Sequence, residues 1–382
     1  MAVGAAGGGY LDAASVEPLL PEARAAWAAA HEAGWGDPAR LHRSGRLAAQ
    51  ALQQAAALVA EAVGARPEEV VFVTSLPAAV GAAVAGLALG RRRVGDRVVT
   101  TAVDHSSTLA AASAYGQHAP VGVDALGRVD PAEWARAVAS PGVALASLQV
   151  GNHEVGTRQP HRDAADACGR AGVPLVLDAT SALGRVDLGD AGAWSVLVAS
   201  AAAFGGPASV AVLVLRRGVR WRAPYPVDDY QGGRWPGTPD VPGAFAAAVA
   251  LDTWLGDRAT VSARQHALVA RLRTEVAARV PDVDVVGDPA DRLPHLLTFS
   301  ALYADGEALT LGLDRAGFAV ASGSACSATS ETPSHVLAAM GALTHGNVRL
   351  GLTRSTTAAD VDRFLAALPR VVADVRAVLG AP

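Results

Sequence analysis

The sequence predicts an α/β protein whose larger part is built on a mostly parallel sheet, followed by a smaller α+β unit. Three observations carry this expectation. Short apolar strands alternate with Ala-rich amphipathic stretches through the first two-thirds of the chain, and strands spaced by helices imply parallel pairing. A Gly- and Pro-rich stretch, YQGGRWPGTPDVPG at 230–243, then interrupts the alternation. Beyond it a long helical pattern leads into strands and helices in a different order.

In chain order, strands are expected at 69–74 (EVVFVT), 97–103 (RVVTTAV), 143–150 (VALASLQV) and 173–180 (VPLVLDAT), with helical stretches near 43–64, 78–90, 131–139 and 161–171. SVLVASAAAFGGPASVAVLVLRR, at 195–217, reads as two apolar strands joined by a turn of small residues around Ala203. A helix is expected from about 244 to about 280, and the domain boundary is placed at its start. The remainder reads as strands (VDVVG, HLLTFSAL), a helix (DGEALTLGLDRAG), a short strand (FAVAS), a small-residue loop, a helix (PSHVLAAMG), a strand (NVRLGL) and a final helix. The expected organisation is an N-terminal segment, 1–15, packed on the small domain, a large domain over 16–245 and a small domain over 246–382.

With 382 residues, 51% hydrophobic and 18% charged, the chain has ample material for a packed core. A net charge of −4 without long runs of one sign predicts neither a nucleic-acid footprint nor a membrane-surface patch. The first twenty residues lack a basic stretch before an apolar core, which argues against a signal peptide. Two cysteines, Cys168 and Cys326, form no disulfide framework, so a reducing cytoplasm is expected. Cys168, inside DAADACGRAG, reads as helix packing.

Every one of the 32 Lys-plus-Arg residues is Arg. The chain therefore has no lysine, and its N-terminus is its only primary amine. An Arg guanidinium stays protonated and is a poor nucleophile, so no other side chain can take the place of an amine.

Eight stretches, taken together, resemble the cysteine desulfurases, a branch of the class V aminotransferases with fold type I: YLDAAS, GDPARLHRSGR, VDHSST, GNHEVGTRQP, VLDATSALGRV, GTPDVPG, SGSACSATSETPSHVL and VRLGLTRSTT. The resemblance implies a fold-type-I large domain and a small C-terminal domain. It also implies that position 203 is where the family carries the lysine that forms a Schiff base with pyridoxal phosphate (PLP). Here that residue is Ala203. PLP acts as an electron sink only after an amine condenses with its aldehyde, and a methyl group cannot do this.

Other positions depart from the family pattern around the same ligand. The phosphate-binding turn, built in the family from small residues whose N–H groups close on the phosphate, reads Thr74-Ser75-Leu76-Pro77-Ala78-Ala79. Leu76 adds bulk, Pro77 has no N–H and Ala78 has no hydroxyl. Ser181 stands for a Gln, Ala202 for a His, and Trp235-Pro236 for Arg-Ser. The convergence of these changes favours natural loss of PLP chemistry over a single trapping substitution. PLP is then expected at most weakly and noncovalently.

The resemblance assigns Asp178 to the pyridine nitrogen, His105 to ring stacking, and Ser200 and Thr238 to the phosphate. Asn152, which the resemblance assigns to the substrate, and Glu154 match an Asn-Asn-Glu element whose second Asn is His153. Asp178 sits at the carboxyl end of a strand, where open α/β sheets bind ligands, yet it could equally cap a helix. His105 could equally be a hydrogen-bonded core histidine. Cys326 matches the persulfide-carrying cysteine, in a small-residue loop that gives a thiolate access, and Arg354 matches the arginine that clamps the substrate carboxylate.

Two readings stay open. One is a pseudoenzyme or sulfur-relay subunit that accepts persulfide at Cys326, as a homodimer or as a heterodimer with an active paralogue, and meets a sulfur-acceptor protein. The dimer is implied because Thr238 matches a residue that reaches the neighbouring subunit. The other is an enzyme of the same family, inactivated by mutation or acting on a different ligand.

Overall fold

The computed structural model describes residues 9–33, 36–189, 194–322, 333–378 and 380. The chain opens with α1 (Pro21–Glu32) and α2 (Arg43–Val63), then alternates β1 (Val70–Val73), α3 (Leu76–Arg91), β2 (Arg97–Thr101), α4 (Ser106–Tyr115), β3 (Gln117–Val121), α5 (Pro131–Val138), β4 (Val143–Gln149), α6 (His161–Ala171) and β5 (Leu175–Asp178). β6 (Val196–Ser200) and β7 (Ala211–Leu215) follow, and then α7 (Val241–Arg279). The C-terminal part contains β8 (Val283–Val286), β9 (Leu296–Ala301), α8 (Gly306–Arg315), α9 (His335–Met340), β10 (Asn347–Gly351) and α10 (Ala358–Val378).

Seven strands form one sheet in the order β1-β7-β6-β5-β4-β2-β3. β2 to β6 pair in parallel, while β7 runs antiparallel to both β6 and β1. β4, VALASLQ, is buried at every position, as a strand covered by helices on both faces must be. Helix ends follow local chemistry. Asp130 caps α5 through the N–H groups of Ala132 and Glu133 at 2.8 and 2.9 Å. α2 stops at Gly64, which adopts φ 61°, a left-handed conformation that favours glycine. Cys168 is buried on α6, and burial pushes its thiol up to about 12, as expected of a packing residue.

β10, β9 and β8 form a separate antiparallel sheet. The N-terminal segment joins it: Leu11 N–H donates to the Ala319 carbonyl, Gly351 N–H to the Leu11 carbonyl and Ala13 N–H to the Gly351 carbonyl. The expected strand FAVAS is not a continuous one. Ala319 bonds to residues 9–11 on one side and Ala321 to Arg349 on the other, so the segment changes partner before a ladder can form.

α7 serves two cores. Its first half, from Ala244 to Val261, packs in the core under the large sheet, and Leu268 to Val280 pack in the core of the small one. The passage between the cores therefore lies within the helix rather than at residue 245. Asp257, at φ −128° and ψ 17°, kinks the helix just before that passage.

Candidate functional site

A cleft of about 220 Å³ opens at the carboxyl ends of β4, β5 and β6, where parallel strands leave room between the loops that follow them. Gln149, Gly151 and His153 come from the end of β4 and its loop, Asp178, Thr180 and Ser181 from β5, and Ser200 and Ala203 from β6. The opposite wall is His295, Ser322 and Arg349 with Ala13, Ala14 and Ser15 of the N-terminal segment.

Asp178 ends β5 and is 8% exposed, with one oxygen accepting the Thr180 N–H at 2.9 Å. His105 is the N-cap of α4, its Nδ1 meeting the Ser107 N–H at 3.2 Å and the Ser107 hydroxyl at 2.8 Å. Burial lowers its pKa, an effect that the negative Asp178 partly offsets. His153 packs edge to face on His105, with centroids 4.9 Å apart and planes at 66°. Burial holds His153 well below the usual imidazole range, and His105 beside it adds to the effect.

Behind these rings lies a buried polar layer. Asp104 accepts the Thr101 N–H at 2.9 Å and the Gln149 N–H at 3.1 Å, and burial pushes its carboxyl up to about 7 against those bonds. Asn152 donates to the Val103 carbonyl at 2.9 Å and accepts from the N–H groups of Glu154 and Val155, both at 2.8 Å. Its amide is thus committed to the backbone. Asn152, expected to touch substrate, instead holds the loop that follows β4. Glu154 accepts the Ser334 hydroxyl at 2.8 Å, and burial pushes it up to about 7.

Ala203 sits in a tight turn at Ala201–Phe204 and lines the cleft, its carbonyl held by Arg185 Nη1 at 2.5 Å. Arg185 is buried, pairs with Glu17 at 2.8 Å and lies 4.4 Å from the Trp254 ring centroid. Burial pushes the Glu17 carboxyl up and the Arg185 guanidinium down. Glu17 also accepts the Arg354 N–H at 2.8 Å, while the Arg354 guanidinium pairs with Asp257. Arg354, expected to clamp a substrate carboxylate, is therefore engaged by a neighbouring acid and is not part of the cleft lining. The arginine in the lining is Arg349, tied to Ser15 at 2.6 Å and Asp12 at 3.3 Å.

At the start of α3, Leu76 lines the cleft and Pro77 offers no N–H. The Ala78 N–H is taken by the Ser75 hydroxyl at 3.3 Å and the Ala79 N–H by the Ser75 carbonyl at 3.0 Å. The helix start is capped by its own residues. Ser181 and Ser200 line the cleft, whereas Thr238 lies exposed outside its lining. Cys326 lies outside the described residues. Among the described residues, no group of three or more His, Cys, Asp or Glu side chains could hold a metal ion.

His295, Arg349, Ser15 and Gln149 were not anticipated. Arg349 left a signal: it alternates with the buried Val348 and Leu350 and so projects from the other face of β10. His295 left none, because it sits at the edge of an apolar run and only the packing of the small sheet turns it to the cleft.

The Aminotransferase class-V family profile matches residues 9–364. A cysteine desulfurase of Cereibacter sphaeroides is 36% identical over 97% of both chains, and an IscS-like cysteine desulfurase of Mycobacterium tuberculosis is 36% identical over 96% of this chain and 97% of the other. In fold, the chain is similar to a NifS-like protein (TM-score 0.88, 22% identity, 96% of this chain and 99% of that one) and to DndA from Streptomyces lividans (TM-score 0.75, 25% identity, 90% and 99%). A match of this extent, over both sheets and every wall of the cleft, places the chain in the class V aminotransferases, within the cysteine desulfurase family with its fold-type-I architecture.

Proposed function

We propose that this chain is a cysteine-desulfurase-like protein that does not run PLP Schiff-base chemistry and acts as a pseudoenzyme or sulfur-relay subunit. The family is PLP-dependent, so the residues present must be set against that cofactor. Asp178, His105 and Ser200 remain at the cleft, but they do not fit a covalently held PLP. The observation that carries the reading is the wall at Ala203, a methyl group in a chain without lysine. The start of α3 supports it, since Leu76 lines the cleft, Pro77 lacks a donor and Ser75 takes the N–H groups of Ala78 and Ala79.

Without an amine at Ala203, the role left to the fold is to receive or present sulfur at Cys326, with a partner supplying the persulfide. The partner is an active paralogue in a heterodimer, or an acceptor protein that meets a homodimer. Adding PLP is expected to give no stable aldimine absorbance, and borohydride reduction no pyridoxyl-modified internal residue. Ala203→Lys alone is expected not to restore sulfide release from cysteine. Full sulfide release by that single variant would overturn the proposal and mark the chain as an enzyme inactivated at one position. For the relay, the protein is mixed with an active cysteine desulfurase, cysteine and PLP, and persulfide is mapped by alkylation and mass spectrometry. Label on Cys326 that is absent from Cys326→Ala supports it, and label on neither cysteine leaves a structural subunit.

A further inference from the structure

Three buried polar atoms on residues that line the cleft have no hydrogen-bond partner among the described residues: Nδ1 of His295, Nε of Arg349 and Oγ1 of Thr180. Burying such an atom forfeits its bonds to water, and folded proteins nearly always restore them through a neighbour, an ordered water or a ligand. Two of the three, on His295 and Arg349, belong to the wall that faces β4, β5 and β6.

His295 is 2% exposed and stands immediately before β9, where its carbonyl accepts the Leu352 N–H at 2.9 Å. That bond fixes the backbone and leaves the ring in the cleft wall. The charged groups that act on the ring are Arg185, Arg349 and His266, with no carboxylate among them. Together with burial, the larger cause, they hold the imidazole well below its usual range, so it is neutral and has one N–H to donate. Arg349 uses Nη2 on Ser15 and Asp12 and Nη1 on the His153 carbonyl at 3.3 Å, which leaves the Nε–H. Unused donors beside two guanidinium charges suit an anionic oxygen better than a water molecule.

We propose that His295 and Arg349 form an anion subsite that holds the carboxylate of a small organic acid in the cleft, without a covalent bond. The inference goes beyond the loss of PLP chemistry and does not rest on sulfur relay at Cys326. The subsite is not the clamp that the resemblance implies, because Arg354 is engaged by Asp257 and lies outside the lining. A single negative charge fits better than a phosphate dianion. Asp12, 3.3 Å from Arg349, already shares the guanidinium charge, and Asp178 stands on the opposite wall, so a second charge on the ligand would meet no counter-charge. The unpaired Thr180 hydroxyl, beside Asp178 in the chain, is left for the other end of the ligand.

The test is ligand-observed NMR titration of the full chain with butyrate, with butyramide as its neutral counterpart and with inorganic phosphate. Butyrate is expected to bind about tenfold or more tightly than butyramide, and phosphate more weakly than butyrate. His295→Leu and Arg349→Gln are each expected to weaken butyrate by about tenfold, whereas Arg354→Gln leaves it unchanged. Should the loss of either side chain compromise folding, His295→Asn keeps an N–H donor and is expected to retain most of the affinity. A crystal grown with butyrate is expected to place its carboxylate within hydrogen-bond distance of both residues. No binding by the wild type, equal binding of butyrate and butyramide, tighter binding of phosphate, or a loss in Arg354→Gln while Arg349→Gln is unmoved would overturn the proposal. None of these results bears on the PLP absorbance or the Cys326 label, so the two readings fail separately.

Discussion

Two turns at the carboxyl end of the large sheet face one cleft and are built in opposite ways. The loop after β4 holds itself with its own side chains: Asn152 makes three bonds to backbone groups, and Gln149 donates to the Val103 carbonyl at 2.7 Å. The turn after β6 is Ala201-Ala202-Ala203-Phe204, with no polar side chain. Its shape is maintained from outside by Arg185 on the Ala203 carbonyl and by the Glu17 N–H on the Ala202 carbonyl at 2.9 Å. Side chains that hold backbone are present in both turns or supplied by a neighbour. Those that would hold a cofactor are absent from the second. The fold keeps backbone supports at both turns, from within the first and from outside the second.

The largest expected effect breaks the outside support. Glu17→Ala leaves the buried Arg185 guanidinium without its counter-charge, and denaturant unfolding is expected to show a loss of about 3–5 kcal/mol. Glu17→Leu combined with Arg185→Met, which removes both charges, is expected to lose much less. An equal loss in the two variants would mean that the pair is not what holds the second turn.

A pH series sharpens the contrast at the first turn. Glu154 is pushed up to about 7 in the folded protein, so between its ordinary pKa and about 7 the unfolded chain releases a proton that the folded chain keeps. Stability is therefore expected to fall as pH rises through that window and to level off above it. Glu154→Gln should flatten the fall by up to about 3 kcal/mol while keeping the bond to Ser334. Identical pH profiles for the wild type and Glu154→Gln would count against a buried, protonated Glu154.

Asn152→Ala removes three bonds to buried backbone groups and is expected to cost about 1–3 kcal/mol, with no change in any persulfide transfer to Cys326. Loss of transfer without loss of stability would return Asn152 to the ligand-contacting role it was first expected to have. The smallest effect is at α3: Ser75→Ala removes the N-cap and is expected to cost about 1 kcal/mol by thermal unfolding. A gain in PLP binding by that variant would show that Ser75 was competing for the helix start.

Much of this protein was legible before folding was considered. The apolar runs that became β1, β2, β4 and β5 and the amphipathic stretches that became α2, α3, α5 and α6 announce themselves by period, because burial on one face or on both leaves a repeat in the sequence. α4 and β3 did not. Gln117–Val121 is an edge strand, buried only at Val121, and so carries no apolar run. The absence of lysine and the residues of the α3 turn are also facts of the sequence, since composition needs no coordinates.

What the sequence could not decide is where side chains spend their hydrogen bonds. Arg349 lies within β10 and Arg354 just beyond it, but only the packing of α7 against the small domain brings Asp257 to Arg354 and leaves Arg349 facing the cleft. Asn152 looked like a ligand contact until the Val103 carbonyl was found within 2.9 Å. The physical reason is the same in each case. Backbone conformation follows local propensity and the period of burial, whereas the partner of a polar group is set by segments that are distant in sequence and meet only in the folded chain.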